Sequence, residues 1–167
     1  MACNTLIDLL KSCDNNSGGI YTVKIFDMDD VTDYTYDPAS WEVTGLTLST
    51  TASVFEFKRN TSNYTEELAN DLINGSGFVT GTINLVFHRR EAAKSKAIKI
   101  LGEGQRYLGV VVGDANGKFW YFPYAQLTAS GEGSGTARAD GSKYTVTLVA
   151  ENDFFAYEVP SAIETTL

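Results

Sequence analysis

Histidine, proline and cysteine are nearly missing from this 167-residue chain, which holds one histidine (His88), three prolines (Pro38, Pro123, Pro160) and two cysteines (Cys3, Cys13). A single histidine excludes a His-built zinc cluster, and two cysteines cannot complete a tetrahedral site alone. Few prolines beside 15 glycines suit a chain of many tight turns and little linker. Long apolar runs are missing too. The longest, Val110–Val112 with its neighbours, is far short of a bilayer span. Met1-Ala2-Cys3-Asn4 opens with neither a basic stretch nor a signal-peptide core. These features predict a soluble protein that begins in a cytoplasm, where Asn60-Thr61-Ser62, Asn63-Tyr64-Thr65 and Asn74-Gly75-Ser76 are chance glycosylation matches.

Basic residues are also scarce, 13 against 21 acids, for a net charge of −8. That balance argues against a sequence-reading nucleic-acid binder, whose affinity comes from phosphate neutralisation. It does not oppose a surface past which nucleic acid slides.

Motifs for catalysis or metal binding are absent as well. No Gly-x-Ser-x-Gly elbow accompanies His88. Asp27–Asp37 is acidic enough to suggest a calcium loop, but it lacks the central Gly, and Met28, Asp30 and Thr32 break the spacing. An acidic surface loop is the simpler reading. Gly131-Glu132-Gly133-Ser134-Gly135 has no Lys-Ser/Thr ending and reads as a hairpin tip rather than a phosphate loop. Nothing singles out a carboxylate pair for glycoside hydrolysis. No catalytic residue, cofactor or metal site is assigned.

What is present is a basic helix-forming stretch, Arg89–Leu101, in a chain otherwise written in strands and turns. Arg89, Arg90, Lys94, Lys96 and Lys99 face one acid, Glu91, so this segment carries +4 and the remainder −12. On a helical wheel Ala93, Ala97, Ile100 and Leu101 form a narrow apolar stripe ringed by cations. The rim either faces acidic neighbours or is simply solvated. His88, at the strand-to-helix junction, caps or packs.

Around that helix, about 89–102, strands are expected over Ile20–Asp27, Trp41–Ser49, Ser53–Arg59 (Phe55 and Phe57 on one face), Phe78–Phe87, Tyr107–Gly113, Lys118–Phe122, Gln126–Ala129, near Arg138, Tyr144–Ala150 and Phe155–Val159. Phe78–Phe87 is the clearest, with Val79, Ile83, Leu85 and Phe87 alternating against Thr80, Thr82 and Asn84. Asn116-Gly117 and Asp140-Gly141 carry the signature of tight hairpins.

Leu6, Ile7, Leu9 and Leu10 predict a short N-terminal helix over Thr5–Lys11, within an arm of residues 1–19. Across it Cys3 and Cys13 stand about 15 Å apart, beyond the roughly 7 Å a disulfide allows, so two reduced, partly buried thiols are expected. Residues 60–77 read as a long inter-strand loop with one helical turn, and loops of that length usually have a function. The whole is one domain, 1–167, mainly β: a β-sandwich or half-barrel with one packed helix. At this length it buries roughly 70% of its unfolded surface.

The order of elements resembles that of the tail tube (major tail) proteins of tailed bacteriophages. The local texture is similar to structural proteins of phages infecting gut Bacteroidetes. The resemblance rests on Cys3-Asn4 with Cys13-Asp14 before Gly18-Gly19-Ile20, Phe57-Lys58-Arg59-Asn60-Thr61, Leu85-Val86-Phe87, and Gly133-Ser134-Gly135-Thr136-Ala137 leading to Tyr144-Thr145-Val146-Thr147-Leu148. It implies a tail-tube-like fold and a virion structural protein, not an enzyme, assembled in the host cytoplasm. Its partners would be copies of itself in hexameric rings, other virion tail proteins, and DNA only as passing cargo, with no membrane. Strands would join across subunits, and uncharged faces such as Thr80, Thr82, Asn84 or Thr145, Thr147 could line the lumen.

On this reading Arg89, Arg90, Lys94, Lys96 and Lys99 meet Asp29, Asp30 and Asp33 across a subunit boundary. Asn60, Tyr64, Glu66, Glu67, Leu72 and Ile73 form the ring-stacking loop. Another phage ring, a connector or tail terminator, fits equally. A different class is a monomeric β-sandwich module holding carbohydrate or peptide on Trp120, Tyr121 and Tyr124. A third, a hydrolase of scattered carboxylates, has no motif behind it.

Overall fold

A computed structural model describes residues 8–58 and 60–167 of the chain. Cys3, Thr5–Ile7 of the expected helix, and Arg59 lie outside the described residues. The architecture is mainly β, one sheet system curled into a half-barrel with few helices.

The strand with the clearest alternation organises it. β6 (Ser76–His88) buries Val79, Ile83, Leu85 and Phe87 on its inner side. Val, Ile, Leu and Phe at every second position suit a pleated surface with one face in the core. On one edge β6 pairs antiparallel with β5 (Asn63–Asp71), from Asn63↔Asn84 to Asp71↔Ser76. On the other it pairs with β9 (Lys143–Asn152), from Val79↔Asn152 to His88↔Lys143.

β9 then pairs with the second half of β8 (Phe119–Gly133), the longest strand. The two segments expected at Lys118–Phe122 and Gln126–Ala129 are therefore one strand. It bends where Pro123 lacks an N–H and Tyr124 takes a left-handed φ of 56°. Before the bend β8 belongs to a second sheet, lying between β7 (Leu108–Asp114) and β10 (Tyr157–Val159). That sheet runs through β7 to β1 (Ile20–Asp27) and β4 (Ser53–Glu56) on one side. On the other it runs through β10 to β3 (Glu42–Leu48), in parallel, and β2 (Val31–Asp37). Among the described residues the sheet system therefore ends in three strands paired on one edge only: β2, β4 and β5.

The main core lies inside the curl, where Val23 and Ile25 of β1, Val110 and Val112 of β7, and Phe122 meet Ile83, Leu85, Val146 and Leu148. Phe55 and Phe57 both reach Phe87, at ring-centroid distances of 5.8 and 5.0 Å, as their shared face predicts. A second cluster covers the opposite side of the second sheet, with Phe26, Val111 and Tyr121 against Val43, Leu46, Tyr157 and Leu167. Gly109 is required there, since a Cβ would stand 2.2 Å from the Phe26 ring.

Several expectations are corrected. Asp27–Asp37 is not a surface loop: its second half is β2, held on β3 by the backbone ladder while its side chains stay largely exposed. Residues 60–77 keep one helical turn, where the Gly75 N–H donates to the Asp71 carbonyl at 2.8 Å, but it ends a full hairpin arm rather than lying in a loop, because β6 extends toward the N-terminus to Ser76 and zips against β5. The expected N-terminal helix does not form over Asp8–Lys11, where Leu9 and Leu10 are exposed with no apolar surface beneath them. Cys13 is exposed rather than partly buried. No strand forms around Arg138. Asp140-Gly141 sits in a longer connection, residues 134–142, whose turn is closed by the Asp140 carboxylate accepting from the Thr136 and Ala137 N–H groups. A short C-terminal helix, α2 (Ser161–Glu164), is anchored by an ion pair from Lys24 to Glu164 at 2.9 Å.

The basic helix is α1 (Ala92–Leu101). Its packed side is one step from the expected stripe: Ile98 is buried and Leu101 half-buried, while Ala93 and Ile100 face solvent. Arg89 takes a left-handed φ of 64° and Glu91 is extended at the N-cap, so the helix begins at Ala92 and not at Arg89.

Candidate functional site

α1 is fastened by its polar side. Tyr144 Oη of β9 accepts from the Glu91 N–H at 3.0 Å and lies 2.8 Å from Ser95 Oγ. Arg90 reaches Glu132 of β8 at 2.6 Å. Glu91 lies 3.4 Å from Arg89 and 3.5 Å from Lys94, whose ammonium also donates to the His88 carbonyl at 3.0 Å. His88 therefore packs at the strand end and caps nothing with its ring, whose Nε2 is buried without a partner. Three of the five helix cations are thus engaged within the chain. Lys96 and Lys99 are exposed and in none of the ion pairs found among the described residues.

The acids nominated to meet those cations lie elsewhere. Asp30, in the turn between β1 and β2, accepts from Ser49 Oγ at 3.0 Å and Thr50 Oγ1 at 2.8 Å and so ties that turn to the β3–β4 connection. Asp29 is exposed on the same turn, beside Asp27, which pairs with Arg106 at 3.2 Å. Asp33 sits exposed on β2 opposite Thr47. Within the chain none of the three pairs with a helix cation.

The residues nominated for stacking divide into a base and a tip. Asn60 makes the turn before β5 with a φ of 61°. Tyr64 packs edge-on to Phe122, ring centroids 5.5 Å apart, and burial with the nearby Asp114 and Glu66 charges pushes its hydroxyl up to about 12. Glu66 points inward and accepts from the Ala156 N–H at 2.7 Å; its burial raises its pKa. Glu67 is exposed.

Beyond the last β6–β9 pair, Val79↔Asn152, three further pairs carry the β5–β6 ribbon past its neighbours. At its end Leu72 and Ile73 are 95% and 94% exposed, joined by exposed Leu68 and Phe78. The turn is firmly built: Asp71 accepts from the Asn74 side-chain amide and from the Asn74 and Ile73 N–H groups, which holds its carboxyl below the usual range, and Gly75 takes a φ of 69°. Asn74-Gly75 is the local signal for this turn, with Gly75 in the left-handed position that ends the loop of residues 72–75.

The aromatic platform of the carbohydrate reading does not form. Trp120 and Tyr121 lie on opposite faces of β8: the indole donates to Asp114 at 3.0 Å, and Tyr121 is wholly buried. Tyr124 stands apart, edge-on to Tyr107. A different aromatic group, not expected from sequence, sits where exposed Tyr36 and Trp41 flank Tyr157, with centroids 4.7 and 5.0 Å away.

Among the described residues no three His, Cys, Asp or Glu side chains are grouped to hold a metal ion. No helix there is long and apolar enough to cross a membrane. No protein-family model and no curated protein matches this chain.

Proposed function

We propose that this chain is a virion structural protein, a tail tube subunit whose copies form hexameric rings that stack into a conduit for DNA. The observation that carries this reading is the set of open sheet ends combined with a projecting arm. β5 leaves a nine-residue edge unpaired, and its hairpin ends in two almost wholly exposed apolar side chains. An edge of that length is a template for another strand. Exposed Leu72 and Ile73 at the tip of an ordered turn suit a contact with another subunit. Edge-to-edge joining of copies through two of these ends would close the half-barrels into a ring.

The outward side of β6 and β9 adds a second support. Thr80, Thr82, Asn84, Thr145 and Thr147 project there, with Thr147 Oγ1 donating to Asn84 at 3.1 Å. Glu67 and Glu151 stand opposite Thr80 on either side, and Lys143, two positions before Thr145 on β9, is an exposed cation at the other end of the same side. A hydroxyl and amide surface with acids at one end and Lys143 at the other offers phosphates little to neutralise, which suits DNA passing without sticking.

Negative-stain electron microscopy across a concentration series, with light scattering alongside, tests the reading. Stacked rings with a central hole are the expected result. Single rings that never stack point to a connector or terminator instead. A strictly monomeric species at high concentration counts against assembly through these edges.

A further inference from the structure

The tip of the arm and the basic helix occupy opposite ends of one strand. β6 begins at Ser76, directly after the turn that carries Leu72 and Ile73, and ends at His88, four residues before α1. Its 13 residues span roughly 40 Å. The two surfaces therefore cannot meet within one molecule, and each lacks an intramolecular cover. They are also complementary. The hairpin from Asn63 to Phe78 has no Lys or Arg; of its acids Glu66 points inward and Asp71 closes the turn, which leaves Glu67 exposed and in none of the ion pairs found among the described residues. The outer side of α1 offers exposed Lys96 and Lys99 beside Ile100, which is 41% exposed on a helix that buries only Ile98. The acids near this end are mostly engaged: Glu91 with Arg89 and Lys94, Glu132 with Arg90, Asp27 with Arg106, and Asp30 with two hydroxyls. Only Asp29 and Glu103 stand by without such a partner. They lie toward the C-terminal side of α1.

We propose that the β5–β6 tip of one copy docks on the exposed side of α1 of the next, Leu72 and Ile73 against Ile100 with Glu67 facing Lys96 and Lys99. The proposal rests on the self-assembly reading and specifies its stacking contact. Because donor and acceptor patches lie on different surfaces, the contact is heterologous and runs head to tail. One molecule then contributes about the length of β6 to each axial step. The apolar tip supplies the contact area, and the charges set register and encounter rate.

The test compares the full-length wild-type chain with Lys96→Glu/Lys99→Glu, reading the concentration at which stacks appear by sedimentation and microscopy. All the altered groups are exposed, and an unchanged melting temperature verifies the fold. The expected result is at least a tenfold higher threshold, substantially recovered when the double variant also carries Glu67→Lys. A second readout replaces Cys3 and Cys13 by Ser and mixes a Leu72→Cys chain with an Ile100→Cys chain under mild oxidation. A disulfide between the two chains is expected, and a control cysteine at Val54 should give none. Wild-type stacks with an unchanged threshold in the lysine variant, and no Leu72–Ile100 disulfide, overturn this docking while leaving self-assembly standing. A wild-type chain that forms no assembly at any concentration overturns both.

Discussion

Glu66 is an inward-pointing acid on an edge strand, a placement that discourages indiscriminate pairing along that edge. Desolvation raises its pKa above the ordinary glutamate value, against the opposing effect of the Ala156 N–H. The folded chain therefore holds this proton more tightly than the unfolded chain. The stability Glu66 contributes is complete below the unfolded value near 4.5 and is lost as pH rises through the higher folded one. Glu66→Gln keeps an acceptor for Ala156 and removes the titration. Its expected outcome is a modest gain in stability at pH 7 that disappears below about pH 4, read from denaturant midpoints across pH. A gain that persists undiminished in acid would show that ionisation of Glu66 is not its source. Gly109 supplies a second test at this scale. A methyl there would lie 2.2 Å from the ring of Phe26, which is itself stacked on Tyr121. Gly109→Ala should cost about 1–3 kcal/mol by forcing that buried pair apart. Chemical denaturation indistinguishable from wild type would mean Phe26 can move freely.

At the scale of elements, legibility followed burial. β1, β6, β7 and β9 announce themselves because one face, or in β7 both, lies in a core, so every second position is constrained to be apolar. β2 and β5 do not, because the ladder holds them while their side chains remain wet. Thr65-Glu66-Glu67-Leu68-Ala69 even favours a helix locally, and pairing with β6 overrides that preference. Of the nominated stacking residues, Leu72 and Ile73 reach the tip, while Tyr64 and Glu66 serve the body. The helix is legible but its packed side is not, since it is fastened through Ser95 and Glu91 to Tyr144, 49 and 53 residues away in sequence. One buried side chain, Ile98, gives α1 little apolar anchorage, so the Tyr144 hydroxyl should govern how firmly the helix is held. Tyr144→Phe removes an acceptor from the Glu91 N–H and a partner from Ser95. Hydrogen exchange of the α1 amides should then quicken on the order of tenfold, with β6 unchanged. Equal acceleration in both would mean that the hydroxyl supports the whole fold rather than the helix.

At the scale of the molecule, an open sheet end and a head-to-tail stacking contact make different demands, and a shortened chain separates them. Replacing residues 69–78 by Asn-Gly closes β5 and β6 near the last β9 pairing, with a turn suited to a two-residue hairpin. The removed segment carries exposed Leu72, Ile73 and Phe78 and lies outside both cores, so the remaining fold loses little. Such a chain keeps the edge of β5 from Asn63 to Leu68 and the whole of α1, but has no tip to donate. It can still join a ring and accept the arm of a neighbour. A ring containing it presents fewer arms to the next ring. Growth driven by heterologous contacts has no internal stop, so blocking one end should shorten stacks at substoichiometric ratios. Mixed with wild type at about one part in ten, the arm-less chain should reduce mean stack length in electron micrographs while ring diameter stays constant. If stacks keep their length even at equal proportions, the arm is not the stacking element. If rings fail to form at all, the removed segment takes part in lateral joining instead. A shorter stack of unaltered rings is the result that assigns the edge to the ring and the arm to the axis.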